Sequence, residues 1–491
     1  MSTINVTNLT FGYEGSPDNV FENVTFVIDT DWKLGFIGRN GKGKTTFLSL
    51  LLGKYEYDGS IKCNCDFDYF PFDVPNKELN SYEIAKLHTQ EIEKWRLEQE
   101  VALLDMNKEI LLRPFNTLSK GEQTKVLLAI LFLRDNNFLL IDEPTNHLDI
   151  NARKSVSEYL KKKKGFILVS HDRNVLDKCV DHILVLNRNN IEVEQGNFSS
   201  WWENKIRQDN FELNENEKLK KDINRLEKAA KQTADWANKV EASKHNMTWD
   251  GPIDKGFIGH KSAKMMKRSI SAQNRREKMI EEKSKLLKNL ETIEDLKIQA
   301  LNDKKGKLIE AHDLSIMYGE NIIFNKISFD LNYGDRLQLK GKNGCGKSSI
   351  IKLLLGEDIK YSGDLYISSN LKISYISQDT SFLKGNLKDL AKDNNIDETL
   401  FKSILRKLDF ERELFDKDIE KYSEGQKKKV LIAKSLCEQA HICIWDEPLN
   451  YIDVFSRMQI EEVILKYKPT MIFVEHDETF SKKIVTKEVN L

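Results

Sequence analysis

A chain of 491 residues has room for more than one domain with a core of its own. Its net charge of −1 and pI near 6.8 exclude a basic field over the whole molecule, so any polyanion must be met by a local patch. Six cysteines without zinc-ligand spacing point to a reduced, cytosolic protein, and the longest apolar run, Val126 to Leu133, has eight residues against the ~20 that span a bilayer. The opening MSTINVTNLTFGY contains no apolar signal region, which predicts a soluble protein. Cys63 and Cys65, the one close cysteine pair, are expected in a strand.

The chain repeats itself at an offset of roughly 304 residues: Tyr13 answers to Tyr318, Gly38 to Gly341, Ser119 to Ser423, Asp142 to Asp446 and His171 to His476. The copies span 1–200 and 306–491. In each, β-like segments lead into a short strand, Leu34–Ile37 or Leu337–Lys340. A glycine loop and an apolar helix follow. The first loop is Gly38, Arg39, Asn40, Gly41, Lys42, Gly43, Lys44 and Thr45, with Thr46 next. The second is Gly341, Lys342, Asn343, Gly344, Cys345, Gly346, Lys347 and Ser348, with Ser349 next. Both fit G-x-x-x-x-G-K-[ST]. Glycines let successive backbone N–H groups face a phosphate, and the helix N-terminus adds its positive end. Lys44 and Lys347 would reach the β- and γ-phosphates of ATP, and Thr45 and Ser348 would offer hydroxyls to Mg²⁺.

The copies then differ. Gln378 closes the second copy's Tyr-Ile-Ser-Gln and could ligate Mg²⁺ or position an attacking water; Phe72, at the matching place in the first, can do neither. About 45 residues further on come LSKGEQ and YSEGQK, in which Ser119, Gly121 and Glu122, and Ser423, Gly425 and Gln426, open a helix as a phosphate cap. An ordinary helix N-cap is the plainer reading of either one alone. NFLLIDEPTNHLD and HICIWDEPLNYID follow, each an apolar buried-strand run ending in Asp-Glu. Asp142 and Asp446 would hold Mg²⁺, directly or through water. Glu143 and Glu447 are placed to polarise the water that attacks the γ-phosphate. His171 and His476, at later strand ends, read as γ-phosphate sensors. Lys161 to Lys164 read as a solvated charge run.

Between the copies lies a highly charged helical stretch, 201–305. Leu219, Ile223, Leu226, Ala230, Thr233, Ala237 and Val240 form a heptad seam, and Leu286, Leu290, Ile293 and Leu296 repeat a similar stripe. HNMTWDGPIDKGFIGH, with Gly-Pro and two further glycines, breaks the helix between them. The pattern predicts an antiparallel hairpin with a tip near 245–262 and arms of roughly 60 Å. From Lys244 to Arg276 there are eight Lys or Arg against two Asp. Lys244, Lys261, Lys264, Lys267 and Arg268, interleaved with His245, Trp249, Phe257 and His260, are the combination of cations and rings that grips irregular RNA.

Together these residues resemble the ATP-binding-cassette ATPases: Walker A loops, signature segments, Walker B strands with a catalytic Glu, and switch histidines. The resemblance covers nearly the whole chain. It implies an α/β fold of two P-loop cassettes that close face to face. One ATP would lie between Gly38–Thr45 and the Ser423 segment, another between Gly341–Ser348 and the Ser119 segment, with Tyr13 and Tyr318 stacking on adenine. Lys120 and Glu424 stand where the family's signature more usually has glycine. DEPTNHLD, the paired cassettes and the helical linker look like the ABC-F branch, and DEPLNYID, Phe72 and the long tip look most like its antibiotic-resistance group of Lsa or Vga type. That resemblance implies a cytoplasmic, monomeric ATP hydrolase using ATP and Mg²⁺. It would bind the bacterial ribosome at the tRNA exit site and reach large-subunit rRNA and tRNA with its linker. A housekeeping translation factor, the energy subunit of a transporter and a DNA-damage ATPase are the alternatives.

Overall fold

The computed structural model of the chain describes residues 2–15, 18–89, 93–134, 137–146, 148–187, 190–245, 296–301, 306–318 and 321–491, together with Lys267, Ser271, Arg275 and Met279. The chain forms two compact units, Met1–Trp201 with Glu294–Leu491, and Trp202–Ile293.

The first unit holds both copies of the repeat. Each opens with an antiparallel sheet whose strands alternate in burial. In β1 (Thr3–Phe11), Ile4, Val6, Leu9 and Phe11 turn inward, and the register slip between Val6 and Leu9 is taken up at Asn8, with φ of 49°. It pairs with β2 (Phe21–Asp29) and β4 (Asp58–Lys62). Its counterpart places β10 (Lys307–Tyr318) between β11 (Asn321–Asn332) and β13 (Tyr361–Ile367).

Each copy also carries a larger sheet of mostly parallel strands. The first runs β5 (Asp66–Phe70), β6 (Asn137–Asp142), β7 (Phe166–Val169), β3 (Lys33–Ile37), β8 (His182–Leu186), with β9 (Ile191–Gln195) antiparallel at the edge. The second repeats the order as β14 (Ile373–Ile376), β15 (Ile442–Asp446), β16 (Met471–Val474), β12 (Arg336–Lys340), β17 (Lys487–Asn490). Helices cover these sheets, so the central strands are continuous apolar runs rather than alternating ones. Phe166–Val169 and Met471–Val474 are buried at every position. Trp445 sits in the second copy's core with its indole N–H donated to Ser435 Oγ at 2.9 Å.

Three expectations change. Leu296 does not extend the linker's stripe: with Ile298 it is buried in the second copy's core, and Ala300 bridges to Ala440. Cys63 and Cys65 lie in the connection between β4 and β5, where Cys63 Sγ turns to the Cys65 carbonyl. Lys163 is not part of a solvated run, since its ammonium pairs with Glu100 at 2.6 Å and lies over the Phe132 and Tyr159 rings.

The helix Phe198–His245, whose first four residues belong to the first unit and the rest to the second, runs for 48 residues, about 70 Å at 1.5 Å per residue. Leu219, Ile223 and Leu226 are half-buried between exposed neighbours, as a heptad stripe requires. Lys267, Ser271, Arg275 and Met279, spaced by four, are helical and exposed. Trp249, Phe257, His260, Lys261, Lys264 and Arg268 lie outside the described residues, as do Leu286, Leu290 and Ile293; Lys244 and His245 are described as backbone only.

Candidate functional site

Both glycine loops sit where β3 and β12 end and helices Lys44–Leu51 and Lys347–Leu354 begin. The residue before each helix, Gly43 or Gly346, has φ near 100°, and a Cβ there would come within 2.5 Å of Val20 or Ile323. Only glycine fits. Lys44 Nζ donates to the carbonyls of Gly38 (2.7 Å) and Arg39 (3.1 Å) and to Asn40 Oδ1 (3.2 Å); Lys347 Nζ donates to those of Gly341 (2.9 Å) and Lys342 (2.8 Å). Each ammonium therefore lies over its own loop, held by that loop's carbonyls.

The acidic pairs sit at the carboxyl ends of β6 and β15. Thr45 Oγ1 donates to Asp142 Oδ2 and Ser348 Oγ to Asp446 Oδ2, both at 3.1 Å. Among the described residues no three His, Cys, Asp or Glu gather as a metal cage. One carboxylate beside one hydroxyl suits Mg²⁺, which keeps waters and takes its remaining oxygens from phosphate. Burial raises both aspartates, Asp446 to about 6 with the Glu447 charge adding to it.

Glu143 and Glu447 have left-handed backbones, φ 51° and 47°, and their N–H groups continue the strand pairing to the Val169 and Val474 carbonyls. That strained conformation turns each side chain toward its histidine. His171 Nε2 stands 3.3 Å from Glu143 Oε1 and His476 Nε2 stands 3.4 Å from Glu447 Oε1. Burial, with the Lys44 and Arg457 charges, holds His171 well below the usual imidazole range, so it is neutral.

The carboxylates themselves differ. Glu447 Oε2 accepts from Gln378 Nε2 at 3.0 Å and Asn450 Nδ2 at 2.6 Å. Burial pushes Glu447 up, but its His476 and Asn450 partners and the Lys347 charge outweigh this and leave it below the ordinary value. Glu143 Oε1 has no hydrogen-bond partner among the described residues, and burial with the adjacent Asp142 charge pushes Glu143 up to about 8. Phe72 does not enter this set; its ring lies 4.2 Å from the His88 ring. Tyr69 does enter, donating its hydroxyl to Asp142 Oδ2 at 3.0 Å.

Ser119 and Ser423 each cap a helix by accepting from the third N–H on, at 3.3 Å, while Glu122 and Gln426 reach back to the serine N–H groups at 2.8 and 2.9 Å. These capping boxes are satisfied within the protein. The copies meet there. Asn40 Nδ2 donates to the Tyr451 carbonyl at 2.7 Å, and a Cβ on Gly425 would lie 3.4 Å from Asn40 Nδ2. Arg39 approaches Asp409 at 3.8 Å. At the second loop, a cavity of about 410 Å³ is lined by Gly344, Lys347, Ser348, Gln378, Glu447 and His476, with Arg153 contributed by the first copy. Tyr13 is exposed, edge-on to Phe11 and Tyr55, with its hydroxyl 2.7 Å from Thr46 Oγ1. The Tyr318 side chain lies outside the described residues.

Arg153, Arg457, Tyr69, Asn450 and Tyr55 were not singled out by motif. For the arginines a signal exists in the repeat: each stands four residues after the Asp that ends its acidic motif. Each donates Nε to the carbonyl ahead of that Asp (Leu148 or Ile452) and Nη1 to the Asp after His171 or His476, Asp172 at 3.0 Å or Asp477 at 3.2 Å.

The family model described as ABC transporter matches residues 21–146 and 324–450. The chain is 31% identical to the ATP-binding protein Uup of Buchnera aphidicola subsp. Acyrthosiphon pisum (strain APS), over 99% of this chain and 80% of that one. It is 26% identical to the ribosome protection protein VmlR of Bacillus subtilis (strain 168), over 99% and 86%. Among solved structures, the archaeal ribosome recycling factor aABCE1, in complex with the ribosomal stalk protein aP1, shares the fold with a TM-score of 0.63 at 20% identity, over 98% of this chain and 87% of that one.

Proposed function

The chain belongs to the ABC transporter family, within its ABC-F branch, and is an ATP hydrolase; we propose that it binds the bacterial ribosome and acts there through its linker. In this reading the cassettes are 1–200 and 306–491, with the linker at 201–305. ATP is held by Gly38–Thr46 and Gly341–Ser349, each completed by the other cassette's signature serine and glycine. Asp142 with Thr45, and Asp446 with Ser348 and Gln378, carry Mg²⁺. Glu143 and Glu447 take the proton of the attacking water, and His171 and His476 sense the γ-phosphate. The protein works in the cytoplasm as a monomer that pairs its own cassettes. It occupies the tRNA exit site, and the linker tip reaches rRNA and tRNA near the peptidyl-transferase region. There it protects against lincosamide, pleuromutilin and streptogramin A drugs, as the Lsa and Vga type does.

The observation that carries this reading is a 48-residue helix between two nucleotide loops that are each built to the same plan. The relative VmlR is itself named a ribosome protection protein. A second reading is a translation factor without drug protection; the relative Uup, at 31% against 26% for VmlR, is named only as an ATP-binding protein. Among the described residues no helix is long and apolar enough to cross a membrane. The test is a sucrose gradient of lysate with and without ATP. Co-migration with ribosomes that strengthens with ATP is expected; migration with a membrane protein, or ATP-independent binding to duplex DNA, would overturn it.

A further inference from the structure

The helix Glu424–Cys437 buries a lysine in its second turn. Lys428 is almost fully covered, and its ammonium donates to the Ser377 carbonyl at 2.8 Å. Ser377 immediately precedes Gln378, whose amide rests on Glu447 Oε2. The same helix takes a second hold on this loop, where Thr380 Oγ1 donates to Glu424 Oε2 at 2.6 Å. A buried ammonium is costly unless carboxylates surround it. Here the charge of Glu475 acts most strongly on it, followed by those of Asp446, Glu447 and Glu424. Glu475 is also buried, fixed by the Leu449 N–H at 2.8 Å and the His476 N–H at 3.1 Å.

The internal duplication supplies the comparison. Where the second copy has Gln378, Lys428 and Glu475, the first has Phe72, Thr124 and Ser170. Thr124 returns its hydroxyl to its own helix, at the Lys120 carbonyl. A lysine is thus not needed to build this helix. It occurs in the copy that has an amide to hold.

We propose that Lys428 is a positioning residue of the second copy's nucleotide site: by gripping the Ser377 carbonyl it fixes Gln378 on Glu447, with Glu475 as its buried counter-charge. The inference rests on the reading above that Glu447 takes the proton of the attacking water. Lys428 bonds the Ser377 carbonyl, and its effect passes through Gln378. The first site lacks this device.

Single-site backgrounds test it in the full-length protein: Glu143→Gln leaves the second site to report, and Glu447→Gln leaves the first. In the Glu143→Gln background, Lys428→Thr should lower kcat about tenfold with KM for ATP changed less than about twofold. In the Glu447→Gln background the residual rate should stay within about twofold. Combined with Gln378→Ala, Lys428→Thr should add no further loss. Lys428→Arg, which keeps a donor, should restore most of the rate. Should Lys428→Thr fail to fold, Lys428→Met with Glu475→Gln removes both charges while filling the space, and must show the same kcat loss. Equal losses in both backgrounds, full additivity with Gln378→Ala, or an unchanged kcat would each overturn the proposal. If the Glu143→Gln, Glu447→Gln double mutant hydrolyses ATP at near the wild-type rate, the assignment of the carboxylates has failed instead.

Discussion

Arg457 lies buried between two segments that frame a nucleotide site, and Arg457→Met would keep most of its stem while deleting the guanidinium. The Nε bond to the Ile452 carbonyl at 2.9 Å and the Nη1 pair with Asp477 Oδ2 at 3.2 Å would both go. Asp477 is 1% exposed, so its carboxylate cannot turn to water. Removing one member of such a pair costs about 3–5 kcal/mol. Two features favour the lower end: Asp477 still caps its helix through the Phe480 N–H at 2.9 Å, and the Arg173 charge still acts on it. Even about 3 kcal/mol is a large share of the 5–15 kcal/mol typical of a domain. Asp477→Asn added to Arg457→Met should recover part of the loss, because the amide carries no charge and still caps.

The pH dependence has a definite sign. Burial pushes Asp477 up, but Arg457 and then Arg173 outweigh it and hold the carboxyl below its ordinary value. A depressed carboxylate contributes stability that is present above its unfolded pKa, about 3.9, and is lost as pH falls through the native value. In Arg457→Met the burial push is less opposed and Asp477 rises, so the mutant's deficit should be larger at pH 7 than at pH 5. Urea-unfolding midpoints of wild type, both single mutants and the double mutant at these two pH values measure this. A single mutant within about 0.5 kcal/mol of wild type, or a double mutant less stable than Arg457→Met, would refute the reasoning.

Other predictions concern the sites and the linker. Because Glu447 is held by two amides and Glu143 by none among the described residues, Glu447→Gln should leave a lower residual ATPase rate than Glu143→Gln; equal residual rates count against unequal sites. Shortening Met247–Gly259 should spare ATP hydrolysis and cassette folding but abolish drug protection, read as growth inhibition by lincosamide, pleuromutilin and streptogramin A drugs. Phe257→Ala should act the same way more weakly, through a ring contact of ~1–3 kcal/mol. Undiminished protection with the shortened loop would make the linker a spacer. Charge reversal at Lys261, Lys264 and Arg268 should weaken ribosome association and flatten its salt dependence, measured by co-sedimentation over a salt series.

The strands that carry the loops and acidic pairs were legible because buried parallel strands are apolar runs ending at polar motifs, and the duplication let each motif vouch for its twin. Phe72 was legible as a departure, but its partner His88 was not, since nothing local links a residue in the connection after β5 to one sixteen further on in the helix Ser81–Thr89. Tyr69 reads as one more strand aromatic until β5 pairs with β6 and brings its hydroxyl to Asp142. Lys428 sits in a run of three lysines that pattern alone assigns to solvent, yet the helix's packing buries two of them, Lys428 and Lys429. Leu296 kept the linker's spacing by coincidence, and its burial against the second copy overrode the local pattern.

The central claim is that ATP-driven pairing of the two cassettes governs ribosome binding. It is tested most directly by co-sedimentation of the Glu143→Gln, Glu447→Gln double mutant with ribosomes in ATP. An amide cannot accept the water's proton, so the double mutant should bind ATP without turning it over. The account predicts that a larger fraction of this form than of wild type stays with the ribosome through the gradient in ATP. A double mutant that leaves the ribosome as readily as wild type, with its hydrolysis abolished, would contradict it.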